Sequence, residues 1–405
     1  MLAHSPPFPL VIDYFQDEGI NAEEEGITVA LEKRARVRRV RLGIPITDLQ
    51  KLIMAIDEEY PVLEYLILAH SPEDDSQGLM LPETFQAPHL CHLMLLGFAL
   101  PISSRLLTTA VGLVTLCLFM DQSTFFQPNT LLQWFSFMPQ LEMLMIASLS
   151  PIPDRDVEWQ LELMHTPITT HVTLPNLRWF AFQGGSAFLE AVVGHTTAPC
   201  LEQFGIEFFE QLTFSVPRLL QFMNTTRHLR PGSAKFEFSD EDVCVEFYSR
   251  EEPKTNILSI CVYCWHLGSQ VSSVAQISNS LRQIFSTVEH LILEDKVHRQ
   301  SSEEHNEVDR SEWRKLLRSF SNVKTLRVQD GLVKELSRCL RLGDGELPLE
   351  LLPELQKLAY SGSGDIDDAF TSFIDARENA GHPVTLVRPG PRSVTPLSRS
   401  SSPGF

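Results

Sequence analysis

Apolar positions along this chain fall into one short, recurring pattern. Pro61-Val62-Leu63-Glu64-Tyr65-Leu66-Ile67-Leu68 reads P-x-L-x-x-L-x-L. The same spacing returns over Pro88–Leu95, Val111–Leu118, Pro139–Ile146, Pro175–Phe182 and Pro199–Ile206. Val37, Val40 and Leu42 occupy the three apolar slots earlier in the chain. Looser versions follow at Phe236/Phe238, at Ile257/Ile260/Val262, at Val288/Leu291/Leu293, at Val323/Leu326/Val328 and at Leu355/Leu358/Tyr360. From Val37 to Leu201 the first slots are 26, 27, 23, 28, 36 and 24 residues apart. The x-L-x-L half of each copy alternates with period two and predicts a short strand with one buried face.

Windows of helical periodicity lie between the copies. Leu49, Leu52, Ile53 and Ile56 follow a capping Thr47, and Leu131, Leu132, Phe135 and Met138 follow Asn129. Val216–Met223, Val271–Phe285, Ser311–Phe320 and Asp365–Glu378 read the same way. One strand and one helix per unit, at a period of 20–36 residues, predict an α/β leucine-rich-repeat solenoid of about a dozen irregular units. Such a fold lines its concave side with a curved parallel sheet and its convex side with helices. A lone unit would bury a few large apolar side chains at roughly 1.5–3 kcal/mol each. Ordering its backbone costs about 1–2 kcal/mol per residue, so units are stable only when stacked on a shared core.

The array is expected over residues 33–387. Residues 1–32 form a lead-in, with a strand-like Pro9–Phe15 and an acidic loop from Asp17 to Glu25. Residues 388–405, rich in Pro, Ser and Arg, have the composition of a disordered tail.

The P-x-L-x-x-L-x-L strands, the uneven spacing and the Pro9-Leu10-Val11-Ile12 lead-in resemble F-box/leucine-rich-repeat proteins, in particular the F-box-like proteins expanded in mushroom-forming fungi. The resemblance covers roughly residues 9–387. It implies an intracellular, non-enzymatic recognition module, the substrate-binding part of an F-box-type ubiquitin-ligase receptor; the other reading is a stand-alone scaffold or adaptor with no ligase link. No Leu-Pro-x-Glu-Ile/Leu opening stands ahead of residue 9, so contact with a ligase adaptor is implied only if an F-box lies outside this chain. The family also places Asn three positions beyond the third apolar slot, where this chain has Ser71, Phe98, Asp121, Leu149 and Gly185.

Strand alternation directs a second set of side chains to the concave face. Its middle is aromatic and methionine-rich, and Tyr65, Ile67, Met94, Phe119, Met143, Met145, Trp179 and Gln183 are the expected contacts for a protein or peptide ligand. The later units turn polar and charged there.

Composition narrows the options. With 43% apolar and 21% charged residues the chain has enough material for a core. A net charge of −19 repels phosphate backbones and argues against nucleic acid as a partner. The basic run Lys33–Arg39 is broken by apolar residues and reads as a charged strand near one end of the sheet. The absence of a long apolar run argues against a membrane partner. Seven cysteines, odd in number and widely spread, suggest reduced thiols in a soluble cytoplasmic or nuclear protein.

Candidate chemistry is sparse. Cys261-Val262-Tyr263-Cys264 has metal-like spacing, but no second C-x-x-C accompanies it and alternation sends the two thiols to opposite faces. His165, His171 and His195 lack a nucleophile elbow. Gly184-Gly185 and Gly362-Ser363-Gly364 are turn glycines with no following G-K-S/T, and no acidic cluster has the EF-hand spacing. Catalytic residues, metal ligands and cofactors are therefore not expected.

Overall fold

A computed structural model describes residues 8–15, 24–53, 56–69, 79–120, 124, 126–149, 168–209, 211, 213–226, 228–296, 310–343, 346–347, 349–360 and 369–387. The strands are β1 (Leu10–Phe15), β2 (Val37–Gly43), β3 (Tyr65–Ala69), β4 (Leu79–Met80), β5 (His92–Leu96), β6 (Phe98–Ala99) and β7 (Thr115–Met120). They continue as β8 (Met143–Ser148), β9 (Val172–Thr173), β10 (Trp179–Gly184), β11 (Thr196–Thr197), β12 (Gln203–Phe208) and β13 (Pro231–Phe238). The last are β14 (Asp242–Ser249), β15 (Asn256–Tyr263), β16 (His290–Asp295), β17 (Thr325–Val328), β18 (Lys357–Tyr360) and β19 (Thr385–Val387).

Fifteen of them build one sheet, in the order β1-β2-β3-β5-β7-β8-β10-β12-β15-β14-β13-β16-β17-β18-β19. Every neighbouring pair is parallel except β15/β14 and β14/β13. The chain is thus a mixed α/β protein with a large, mostly parallel sheet.

Register explains the sequence pattern. Val40, Leu66, Leu93, Leu116, Leu144, Phe180 and Phe204 stand side by side, and Leu42, Leu68, Leu95, Leu118, Ile146, Phe182 and Ile206 form the next row. All of these are buried and join the buried helix residues in one core. The first Leu of each motif lies ahead of its strand, in a tight turn. Leu63 donates its N–H to Tyr60, Leu90 to Ala87, Leu141 to Met138, Leu177 to Leu174, Leu201 to Ala198 and Leu355 to Leu352. Pro61, Pro88, Pro139, Pro175, Pro199 and Pro353 each hold the second position of such a turn. There the ring presets φ and no N–H is needed, which accounts for the recurrent proline.

The expected helices form at Ile46–Ile53, Pro128–Phe135, Pro217–Thr225, Leu267–Ser280 with Arg282–Phe285, Arg310–Leu317 and Thr371–Asn379. Asn129 does not cap its helix, which starts at Pro128 behind Gln127. Sequence periodicity missed Arg105–Thr109, too short to show a period, together with Ser186–Val193 and Asp330–Leu340. The expected acidic loop ends early: Glu24–Leu31 is helical, with Ile27 and Leu31 in the core.

The larger departure lies at residues 231–263. The two loose copies read there are not neighbours, because β14 stands between them and β15, not β13, pairs with β12. Short connections force this. Ser239 donates to the carbonyl of Asp242 at 2.9 Å and Ser249 to that of Thr255 at 3.1 Å. Such links are too short for a parallel crossover, so β13, β14 and β15 run as an antiparallel meander. The chain must then return across two strands to reach β16. Leu267–Ser280 makes that return and, at 14 residues, is the longest helix among the described residues.

Among the described residues no helix is long and apolar enough to cross a membrane. The tail expected at 388–405 lies outside the described residues.

The uncovered sheet face as candidate functional site

The strand residues between the core rows point to the other side of the sheet. One row runs Arg39, Tyr65, His92, Thr115, Met143, Trp179, Gln203. The next runs Arg41, Ile67, Met94, Cys117, Met145, Ala181, Gly205, Ser259, Glu246, Lys235, Ile292, Arg327. A third contains Leu96, Phe119, Ala147, Gln183, Glu207, Cys261, Cys244, Glu237 and Glu294. Ile67, Cys117 and Ala147 are buried, but none of these side chains joins the core cluster formed with the helices, and among the described residues that core leaves this face uncovered.

All eight residues singled out from the sequence therefore share this face. Tyr65, Met94, Phe119, Met143, Met145, Trp179 and Gln183 are half-buried. Ile67 differs: only 4% of it is exposed, so it offers a partner the least surface of the eight. Cys117, beside Met94 and Met145, is fully buried, and burial pushes its thiol up to about 12, so it stays protonated and unreactive.

Charge divides the face into three zones. At the β2 end, the Arg39 guanidinium lies 4.2 Å from the centroid of the Tyr65 ring, and the Tyr65 and His92 rings are 5.6 Å apart. Burial, followed by the charge of Arg39, holds His92 below the usual imidazole range, although Glu64 acts against it. His92 Nδ1 meets Thr115 Oγ1 at 3.0 Å. The middle zone is the apolar strip.

The third zone, over β12 to β16, is acidic. Tyr263 donates its hydroxyl to Glu207 at 3.1 Å and Tyr248 donates to Glu246 at 2.5 Å. Lys235 bridges Glu237 and, at 3.2 Å, Glu294, while Lys296 also binds Glu237. Burial and then the charge of Glu207 push Tyr263 up to about 12. Tyr248 is raised by burial and by Glu246, Glu237 and Glu294 together.

β14 lies outside the recurring motif, although Val243, Val245 and Phe247 alternate with the residues of the opposite face. The expectation of seven reduced thiols fails at Cys244 and Cys261, which register brings opposite each other and which form a disulfide. Spacing in sequence carried no sign of it, because the partner strand was unassigned. Cys261 and Cys264 do part to opposite faces, with Cys264 buried in the core.

Two of the three histidines meet. The His171 and His195 rings are 4.8 Å apart, and His195 Nδ1 lies 3.0 Å from the Ala191 carbonyl. His165 and Gly362–Gly364 lie outside the described residues. Among the described residues no group of three or more His, Cys, Asp or Glu side chains could hold a metal ion. Comparison with protein-family models and with curated proteins returned no match to this chain.

Proposed function

We propose that this chain is a leucine-rich-repeat-type solenoid of the F-box-like kind and that it recognises another protein on its uncovered sheet face, without catalysis. The observation that carries the reading is that Tyr65, Met94, Phe119, Met143, Met145 and Trp179 fall in three neighbouring rows on a face the core does not use. Adjacent aromatic and methionine side chains on a rigid sheet are costly to leave in water, and they are the residue types that anchor protein interfaces. The recurring turn–strand–helix order, with proline in the turn, supports the solenoid reading. The place in a ligase is the part that rests on the sequence resemblance, and an adaptor free of any ligase is the alternative.

The test combines Trp179→Ala and Phe119→Ala. Capture of partners from native lysate should be lost while the melting transition stays cooperative and near that of the parent. Unfolding of the double variant would mean that the strip is core, and the reading would fall. Co-purification of ligase subunits with a longer gene product carrying an F-box separates the receptor from the adaptor.

A further inference from the structure

The charge zones flanking the strip select among partners. Over β12 to β16 the uncovered face carries the carboxylates of Glu207, Glu246, Glu237, Glu294 and Asp242 against the ammonium groups of Lys235 and Lys296. Glu237 and Glu294 are engaged by those two lysines. Glu207 and Glu246 are not: among the described residues each has only a tyrosine hydroxyl as partner. Neither forms an ion pair among the described residues, and both stand nearer the apolar strip than Glu237 and Glu294 do.

Between strip and carboxylates the floor is low. Ala181, Gly205 and Ser259 follow Met145 in one row and lead directly to Glu246. Gly205 carries no side chain, and a Cβ there would lie 3.4 Å from Ser259 Oγ, so the row is closely set. Trp179 and Gln203 border it on one side, Gln183 and Glu207 on the other. Small side chains in a strand let another backbone approach closely.

We infer that this face takes an extended, lysine- or arginine-bearing segment of another protein, laid across the strands with apolar residues on Met145 and Trp179 and cations on Glu207 and Glu246. The inference rests on the recognition role proposed above and names the chemistry of the partner. Strands are spaced at about 4.8 Å and an extended peptide advances about 3.3 Å per residue. Glu207 lies two strands from Met145 and Glu246 four. The cations therefore fall roughly three to six residues from the apolar anchor. A second copy of this chain is a poor occupant, because a net charge of −19 repels itself.

Selection of a phage-displayed library of random linear peptides on the full chain tests the assignment. Enriched peptides should carry Lys or Arg at that distance from an aromatic or aliphatic residue. Their binding should weaken roughly tenfold in the Glu207→Gln/Glu246→Gln variant and weaken with added salt, with the melting temperature unchanged. The two single variants serve if the double variant loses its fold. Peptides that require Trp179 yet show no excess of basic residues and bind the glutamine variant undiminished would overturn the inference and leave the recognition role standing. No enrichment, or enrichment that Trp179→Ala also leaves intact, would overturn both. A chain ending at Val387 that binds the selected peptides at least roughly tenfold more tightly would assign the face to residues 388–405, with Arg388, Arg392 and Arg399, and would overturn the assignment to another protein.

Discussion

Cys244 and Cys261 sit directly opposite each other on β14 and β15, with Cα atoms 4.1 Å apart, and are joined by a disulfide on the uncovered face. The bond ties the single antiparallel strand of the sheet to the strand that carries the Glu207 partner Tyr263. Alkylation of the denatured chain without reductant should modify the five remaining cysteines, and all seven after reduction. Closing a loop of 17 residues constrains the unfolded chain, so Cys244→Ser/Cys261→Ser should lower stability by about 3 kcal/mol in urea unfolding.

Arg377 is the buried charge near the far end of the sheet, only 1% exposed. It donates to the carbonyls of Leu352 at 3.1 Å, Pro353 at 2.9 Å and Leu355 at 3.2 Å, and so fixes the turn that launches β18. Arg377→Met leaves those acceptors without their fork and should cost about 3 kcal/mol. Arg377→Lys should restore little, since one ammonium cannot span three carbonyls. Amide exchange around β18 and β19 should accelerate before that of the rest of the sheet.

Acid should loosen the third zone through Glu237. Burial alone would raise its pKa, but bonds and charges from Lys235 and Lys296 prevail and hold it below the usual carboxylate range. A carboxyl whose folded pKa is depressed adds stability that is present above its unfolded value, near 4.3, and is lost as pH falls through the folded value. The unfolding free energy of the parent should therefore drop below about pH 4.3, and Glu237→Gln should flatten that limb. Equal acid limbs in parent and variant would contradict the assignment.

Glu190 ties two neighbouring helices together. Its carboxylate accepts the backbone N–H of Arg218 and of Leu219, each at 2.8 Å, at the first turn of Pro217–Thr225. It thus caps a helix to which it does not belong. Burial outweighs these bonds and the charge of Arg218, so the carboxyl is held above its ordinary range. Glu190→Ala should cost about 1–2 kcal/mol, the loss of a cap, and Glu190→Gln part of that, because its one amide oxygen can accept from Arg218 or Leu219 while its NH2 group cannot accept from the other. Thermal melts of the two variants give the comparison.

The eight-residue motif that starts at Pro61 shows how much of this was written locally. Pro61 predicts a turn, Leu66 and Leu68 a buried strand face, and Tyr65 a place on the opposite face. Each prediction needs only steric preset of φ and period-two alternation, which act within a few residues. Strands β2, β3, β5, β7, β8, β10 and β12, each parallel to the next, follow from repeating that local rule. Sequence alone also placed the aromatic and methionine residues on one face.

Tertiary structure decided what depends on distant partners. Ile67 and Tyr65 share a face by alternation, yet the packing of adjacent strands buries the first and leaves the second half-open. Phe236 and Ile260 look like consecutive copies, but short connections around β14 reverse their order in the sheet. That reversal sets Cys244 against Cys261 and lines up Glu207, Glu237 and Glu294 in one row. Hydrophobic spacing encodes which side a residue faces, because that is set by its own backbone. Which residues stand beside it is set by strand order, and strand order is chosen by the whole chain.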